Sequence, residues 1–307
     1  KVECGGGKYP PLPNCLEKQR LEAQDQKNSP TPHLYEKEKY LIVICKKNKN
    51  WLIMNQPSDY SPRRGLILDQ VTKRYQSVTA VDHVCLEVKN CEFLAVVGPT
   101  GCGKTTLLRL IAGVEKLDYG HIYIQGRCVN DVGPSRRGVR MVFQEHALWP
   151  HMRVFHKDTA SNLSFGMRLR KQLPQSIEET AYLIAKRLGI ANNLFSRKPD
   201  QLSVGQKQVV GIGRALTIIP TILLLDEPLA HVDPQRRLAL RHELKDYHNK
   251  MGSITLYVSH NLPEAFSLAD RIAIMQDGRI IQVGSPTEIQ SHPVNTFVKD
   301  FIACFEI

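Results

Sequence analysis

Between Gly98 and Thr106 the chain reads Gly-Pro-Thr-Gly-Cys-Gly-Lys-Thr-Thr, directly after the apolar run Phe93-Leu94-Ala95-Val96-Val97 and directly before the apolar helical stretch Leu107–Ala112. No other segment limits the fold as strongly. It fits G-x-x-x-x-G-K-[ST], and the order strand, glycine loop, helix is the setting that gives this motif its meaning. Glycines let the backbone wrap so that successive N–H groups face phosphate oxygens, and the following helix N-terminus adds its dipole. Gly98, Pro99, Thr100, Gly101, Cys102, Gly103, Lys104, Thr105 and Thr106 are therefore the candidate phosphate-binding residues. Lys104 would neutralise β and γ phosphates, and Thr105 would offer Mg²⁺ a hard hydroxyl oxygen. The pattern arises by chance in a chain of this length only about 1% of the time, given the usual ~7% glycine.

A strand feeding a helix through such a loop needs a sheet around it. Leu66-Ile67-Leu68, Val84–Val88 and Phe93–Val97 read as strands, being short, β-rich and bounded by turn residues, and helical patterns then alternate with further strands. That alternation predicts an α/β protein with a mainly parallel central sheet. A second element at Ile222-Leu223-Leu224-Leu225-Asp226-Glu227-Pro228 suits it. Four aliphatic residues predict a strand buried on both faces, and two acids follow at its carboxyl edge, where α/β sheets bind ligands. Asp226 would hold the Mg²⁺ shell, and Glu227 could orient or deprotonate an attacking water.

Composition bounds the rest. The aliphatic runs 41–45 and 222–225 fall far short of the ~18–20 apolar residues of a membrane span. A net charge of +11 fits nucleic acid, an anionic membrane surface or phosphorylated small molecules equally well. The eight cysteines contain no Cys-x-x-Cys pair, which predicts neither a disulfide framework nor a structural zinc site and favours a reducing compartment. Residues 1–64, with Gly5-Gly6-Gly7, a proline cluster at 10–13 and the basic run 46–49, read as a poorly ordered or non-native N-terminal extension. With Lys1 first and no signal-peptide core, the chain reads as a fragment or processed product.

Leu202-Ser203-Val204-Gly205-Gln206-Lys207-Gln208 lies between the two phosphate elements, Gln144 precedes it, and His260 follows the strand-like Ile254–Val258. The ordered set of glycine loop, Gln144, signature, acidic strand end and His260 resembles the nucleotide-binding subunit of ATP-binding cassette (ABC) transporters. The resemblance runs from Gly65 to about Ala303. Arg137–Gln144, Ala147–Met152 and Arg271–Met275 through Gln282-Val283-Gly284 look most like maltose-type carbohydrate importer ATPases, with polyamine, iron and sulfate importer ATPases next.

The resemblance implies a P-loop NTPase of ABC type at 65–303, with a mainly parallel core sheet, an antiparallel β-subdomain and a helical subdomain at about 147–212. It implies ATP and Mg²⁺ as ligands, Tyr75 stacking on adenine, and Gln144 reaching Mg²⁺ and the attacking water. His260 would contact the γ-phosphate and position Glu227, and Asp233 would couple two sites across a dimer. Ser203, Gly205 and Gln206 would meet the ATP of a second subunit, so a head-to-tail dimer is expected. The implied partners are transmembrane permease subunits, a second ATPase subunit and, indirectly, an extracytoplasmic solute-binding protein, with no nucleic acid. The expected place is the cytoplasmic face of the membrane. The alternatives are a soluble ABC protein and a hydrolysis-impaired nucleotide-binding subunit.

Departures from the family pattern carry expectations of their own. Val204 replaces the usual glycine of Leu-Ser-Gly-Gly-Gln, Val209 stands where Arg is common, and Ala230-His231 replace Ser-Asn of the coupling loop. Phe155–Ala160 looks like a short insertion in the helical subdomain, and 304–307 would be a C-terminal tail, with the family's regulatory β-domain either absent or lost by truncation of the sequence. His146, His151 and His156 recur every five residues, off a common helical face, and do not read as a metal site. Cys102 sits beside a helix N-terminus, which tends to lower a thiol pKa; it reads either as a thiol whose alkylation blocks nucleotide binding and which ATP protects, or as a small filler residue.

Overall fold

The computed structural model describes residues 65–145 and 147–305, within the unit Tyr60–Ile307. The expected extension 1–64, His146 and the end of the 304–307 tail lie outside the described residues.

In chain order the strands are β1 (Leu66–Tyr75), β2 (Val78–Val88), β3 (Phe93–Val97), β4 (Tyr119–Ile124), β5 (Arg127–Cys128), β6 (Val139–Val142), β7 (Ile222–Asp226), β8 (Ile254–Ser259), β9 (Arg271–Gln276) and β10 (Arg279–Gly284). The helices are α1 (Lys104–Ala112), α2 (Phe165–Leu169), α3 (Pro174–Arg187), α4 (Val204–Leu216), α5 (Pro234–Met251), α6 (Leu262–Leu268), α7 (Pro286–Ser291) and α8 (Thr296–Ala303).

A four-stranded antiparallel sheet has the order β2-β1-β4-β5, and a six-stranded sheet has the order β10-β9-β3-β8-β7-β6. In the larger sheet β9, β3, β8, β7 and β6 run parallel, and only β10 turns back antiparallel. Every residue of β3 and β7 is buried. Alternation sends Phe93, Ala95 and Val97 into one core with Leu223, Leu225 and Tyr257, while Leu94 and Val96 join a second core with Ile222, Leu224 and α1. A strand buried on both faces needs apolar side chains at every position, which is why these segments read as unbroken aliphatic runs.

The antiparallel sheet shares that second core through Leu66, Leu68, Val84, Leu86 and Ile122. The sequence marks only short pieces of β1 and β2, because their joining turn Gln76-Ser77 holds no glycine, proline or asparagine. Gln76 nonetheless adopts φ 51°, the left-handed backbone that a two-residue hairpin needs.

Between β6 and β7 the described chain is helical and irregular. Ile177, Ala181, Ile184 and Ala185 put one face of α3 into the core that also takes Val209, Val210 and Ile212 of α4. Phe155, Tyr182 and Phe195 form an aromatic trio with ring centroids 5.2–5.7 Å apart. The stretch expected to be an insertion therefore divides. Phe155 is a buried core residue, whereas 157–160 is exposed.

One buried cation sets the far end of α1. Arg137 donates to the carbonyls of Leu110, Ile111, Val132 and Asn130, at 2.7–3.3 Å, and burial depresses its pKa. Two of these carbonyls belong to the last turn of α1, where intrahelical donors run short, although that of Leu110 also accepts the Gly113 N–H at 3.1 Å. Arg137→Met should remove these hydrogen bonds, leaving the Leu110 carbonyl only the Gly113 N–H, and destabilise the chain by about 2–4 kcal/mol, read as a lower urea midpoint with an unchanged slope.

Candidate nucleotide-binding site

Parallel pairing brings four carboxyl-terminal strand ends to one sheet edge. Val142 pairs with Leu225, Asp226 with Val258, and Val97 with Ser259. The glycine loop, Gln144, Asp226-Glu227 and His260 all follow from these ends.

The loop closes tightly on its neighbours. A Cβ at Gly98 would lie 2.0 Å from the Met275 carbonyl oxygen, and one at Gly103 would lie 2.0 Å from that of Ala80. Gly103, at φ 104°, is the residue from which α1 starts. Lys104 is buried, and its ammonium donates to the carbonyls of Gly98 and Pro99, each at 2.8 Å. The charge is thereby held against the loop, and the first turn of α1 carries no acidic residue.

Thr105 Oγ1 donates to Asp226 Oδ1 at 3.0 Å. Burial pushes the Asp226 carboxyl above its ordinary value and the Glu227 charge adds to this, while the Thr105 hydroxyl, Arg109 and Lys104 oppose it. A hydroxyl and a buried carboxylate in contact form a hard oxygen donor pair, and this donor set suits Mg²⁺. Glu227 follows with φ 44°, an uncommon backbone state for a residue with a side chain, and its N–H is held by the Val258 carbonyl at 3.0 Å. The turn aims its carboxylate at His260, whose Nδ1 lies 3.1 Å from Oε1. Lys104, Thr105, Asp226, Glu227 and His260 are thus drawn into one place. Gln144 is exposed, two residues past the end of β6 at the same edge.

Tyr75 ends β1 in the other sheet, exposed, with the Lys73 ammonium 5.1 Å from its ring centroid. Lys73 is paired with Glu115 at 3.1 Å and Asp118 at 3.4 Å, and Asp118 also accepts the Arg74 N–H. These three residues hold the end of β1, and sequence reasoning did not find them because they stand about 45 residues apart with no motif.

Ser203, Gly205 and Gln206 form a second group. Ser203 caps α4 by accepting the Gln206 N–H at 3.3 Å, and the Gln206 side chain accepts the Ser203 N–H at 3.0 Å. A Cβ on Gly205 would meet the His231 carbonyl at 3.0 Å, so the signature packs on the coupling loop. Val204 is exposed. Asp233 caps α5 by accepting the Arg236 N–H at 2.9 Å. Among the described residues, no hydrogen bond or ion pair joins Ser203 or Gln206 to Lys104, Thr105 or Asp226.

Residues 81–230 match the model of the ABC transporter family. The trehalose/maltose import ATP-binding protein MalK of Thermococcus litoralis is 44% identical over 78% of this chain and 64% of its own length. The spermidine/putrescine import ATP-binding protein PotA of Bacteroides fragilis is also 44% identical, over 76% of this chain and 49% of its own. A dimeric ATP-binding cassette, MJ0796, solved in a post-hydrolysis state bound to ADP and Pi, superposes with a TM-score of 0.66 at 27% identity, covering 72% of this chain and 98% of that one. The chain carries the ATPase domain of the ABC transporter family. It spans less than two thirds of the length of the curated relatives it matches.

As an ABC ATPase domain it has the expected fold: a P-loop core with a mainly parallel sheet, an antiparallel sheet beside it and a helical segment between β6 and β7. One expectation about the loop is corrected. Cys102 is buried, and that burial raises its thiol pKa, outweighing the nearby Lys104.

The raised carboxyl of Asp226 fixes a sign. An acid whose folded pKa exceeds its unfolded value of 3.8 costs folding free energy as pH rises through the folded value, and costs nothing below both. Asp226→Asn should therefore unfold at higher urea than the parent at pH 7 and at nearly the same urea at pH 3. Equal midpoints at pH 7 would refute the burial penalty.

Proposed function

We propose that this chain is the ATP-hydrolysing subunit of a solute importer, working as a head-to-tail dimer on membrane permease partners. The contact that carries the reading is Glu227 to His260 at 3.1 Å, next to the Thr105–Asp226 pair. A carboxylate oriented by an imidazole at the edge of a phosphate loop has the geometry of a general base for water.

Lys104 releases the loop carbonyls and turns its ammonium to the β and γ phosphates of ATP, a charge-assisted exchange. Thr105 and Asp226, with Gln144 from the neighbouring strand end, would hold Mg²⁺, which when bound neutralises phosphate charge. Glu227 takes a proton from water as its oxygen bonds to the γ-phosphorus, and the β–γ bridging oxygen leaves with ADP. His260 keeps the Glu227 carboxylate aimed and contacts the γ-phosphate. Tyr75, steadied by Lys73, stacks on the adenine.

Ser203 and the Gly205 N–H, at the N-terminus of α4, face the γ-phosphate of a second copy. ATP then closes the dimer and hydrolysis opens it, converting chemistry into movement through the different affinities of the closed dimer for ATP and ADP. The dimeric cassettes that superpose on this chain support that arrangement. Carbohydrate or a related polyol is the proposed cargo class. The supporting relatives are named for trehalose/maltose, sn-glycerol-3-phosphate and α-glucoside import, at 44%, 42% and 43% identity. Among the described residues no helix is long and apolar enough to cross a membrane, so the permeation path is assigned to the partners.

Mg²⁺-dependent ATP hydrolysis should rise faster than linearly with protein concentration. Glu227→Gln should lower kcat by ~10²–10⁴-fold while retaining ATP binding, the usual worth of a general base. A variant turning over at the parent rate would remove Glu227 from this role. Lys104→Ala should instead raise the Kd for ATP, measured by fluorescent-nucleotide titration, and unchanged affinity would contradict the loop assignment.

A further inference from the structure

Behind Glu227 and His260 lies a second charged pair drawn from two helices. Glu264, in the first turn of α6, is buried. Its Oε2 accepts the Tyr257 hydroxyl at 2.8 Å and the Ser259 hydroxyl at 3.4 Å. Ser259 Oγ in turn accepts the Asn261 N–H at 2.9 Å, and Asn261 Oδ1 accepts the Glu264 N–H at 3.1 Å. The turn that carries His260 is thus tied on both sides to one residue, to the Glu264 carboxylate through Ser259 and to the Glu264 backbone N–H through Asn261.

Arg237 of α5 approaches that carboxylate from the coupling loop. Its Nη2 donates to the Val232 carbonyl at 3.2 Å, one residue before Asp233. Its Nε lies 3.8 Å from Glu264 Oε1, close enough for an ion pair and too far for a hydrogen bond. Among the described residues that buried Nε has no hydrogen-bond partner. A cavity of about 40 Å³ beside the pair is lined by Glu227, His260, Arg237 and Glu264 among others. The Arg237 side chain is 29% exposed, but its Nε–H is buried, and an unmade hydrogen bond there is a cost that a shift of the loop closing the gap would remove. The free cavity beside it gives the side chains room to make that shift.

We propose that Arg237 and Glu264 are a positioning pair that transmits the placement of the loop 230–233 to the His260 turn and through it to Glu227. The inference rests on the hydrolytic roles proposed above for those two residues. A pair that served folding alone would not link the two segments. Removing Glu264 would then disturb only its own helix and turn, and removing Arg237 only α5 and its loop.

Amide hydrogen exchange on the full chain tests the link without reference to turnover. Glu264→Gln is expected to speed exchange at 230–233 as well as at 259–261, and Arg237→Met to speed exchange at 259–261 as well as at 230–233. Exchange changes confined in each variant to its own element would overturn the proposal. Hydrolysis supplies the second arm. Each single variant should lower kcat about tenfold, the scale of a small misplacement, and leave the KM for ATP within about twofold. The double variant should lose no more than the worse single, because both act through one contact. Losses that multiply, or a raised KM with unchanged kcat, would overturn it.

A lone buried charge can prevent folding, and the double variant, which buries neither charge, then carries the test. A folded double variant with parental kcat and parental exchange at both segments would overturn the pair. A parent that hydrolyses no ATP even with its membrane partners would count against the proposed function, while the exchange result would still decide whether the two segments are linked.

Discussion

The parallel pairing of β3, β8, β7 and β6 is the constraint on which everything else hangs. Because the strands run the same way, the glycine loop, the acid pair, His260 and Gln144 emerge at one edge, although up to 162 residues separate Gly98 from His260. Parallel strands must be joined by crossovers, and crossovers cover both faces of the sheet. The aliphatic runs of β3 and β7 meet that demand, filling a core on each side. Their burial makes the edge rigid, so that loops with little structure of their own stand in fixed relation to one another.

Charge at this edge is arranged against its own solvation. Lys104 and Asp226 are both buried, yet each is held by groups that a bound nucleotide and metal would replace: loop carbonyls for the ammonium, the Thr105 hydroxyl for the carboxylate. Desolvation strengthens whatever ions these side chains meet, at a cost to the empty fold. Glu227 adds backbone strain, being held with positive φ by the Val258 carbonyl and paired with His260. Strain and buried charge collect at the edge proposed to handle phosphate, and the surrounding aliphatic cores bear the cost.

The parts of the site that were legible in the sequence are those in which one short segment does a complete job. The glycine loop, the aliphatic strand with its terminal acids and the signature segment Leu202–Gln208 each depend on neighbours within about ten residues. What escaped detection spans the chain. Lys73 with Glu115 and Asp118 beneath Tyr75, and Arg237 with Glu264 behind His260, are pairs whose members sit on separate elements with no spacing rule. The direction of the Cys102 thiol pKa escaped for a related reason, since proximity to a helix N-terminus is visible in sequence and depth of burial is not.

The sequence by itself determined the α/β class, the phosphate loop, the acidic strand end and the family, because periodicity, glycine placement and motif order are local properties. Only the tertiary structure decided that Thr105 touches Asp226, that Glu227 faces His260, that Phe155 belongs to the core and that Arg237 bridges the coupling loop to Glu264. These contacts depend on strand register and on how two helices pack across a sheet. Register and packing minimise free energy over the whole domain at once, so no local stretch of the chain encodes them.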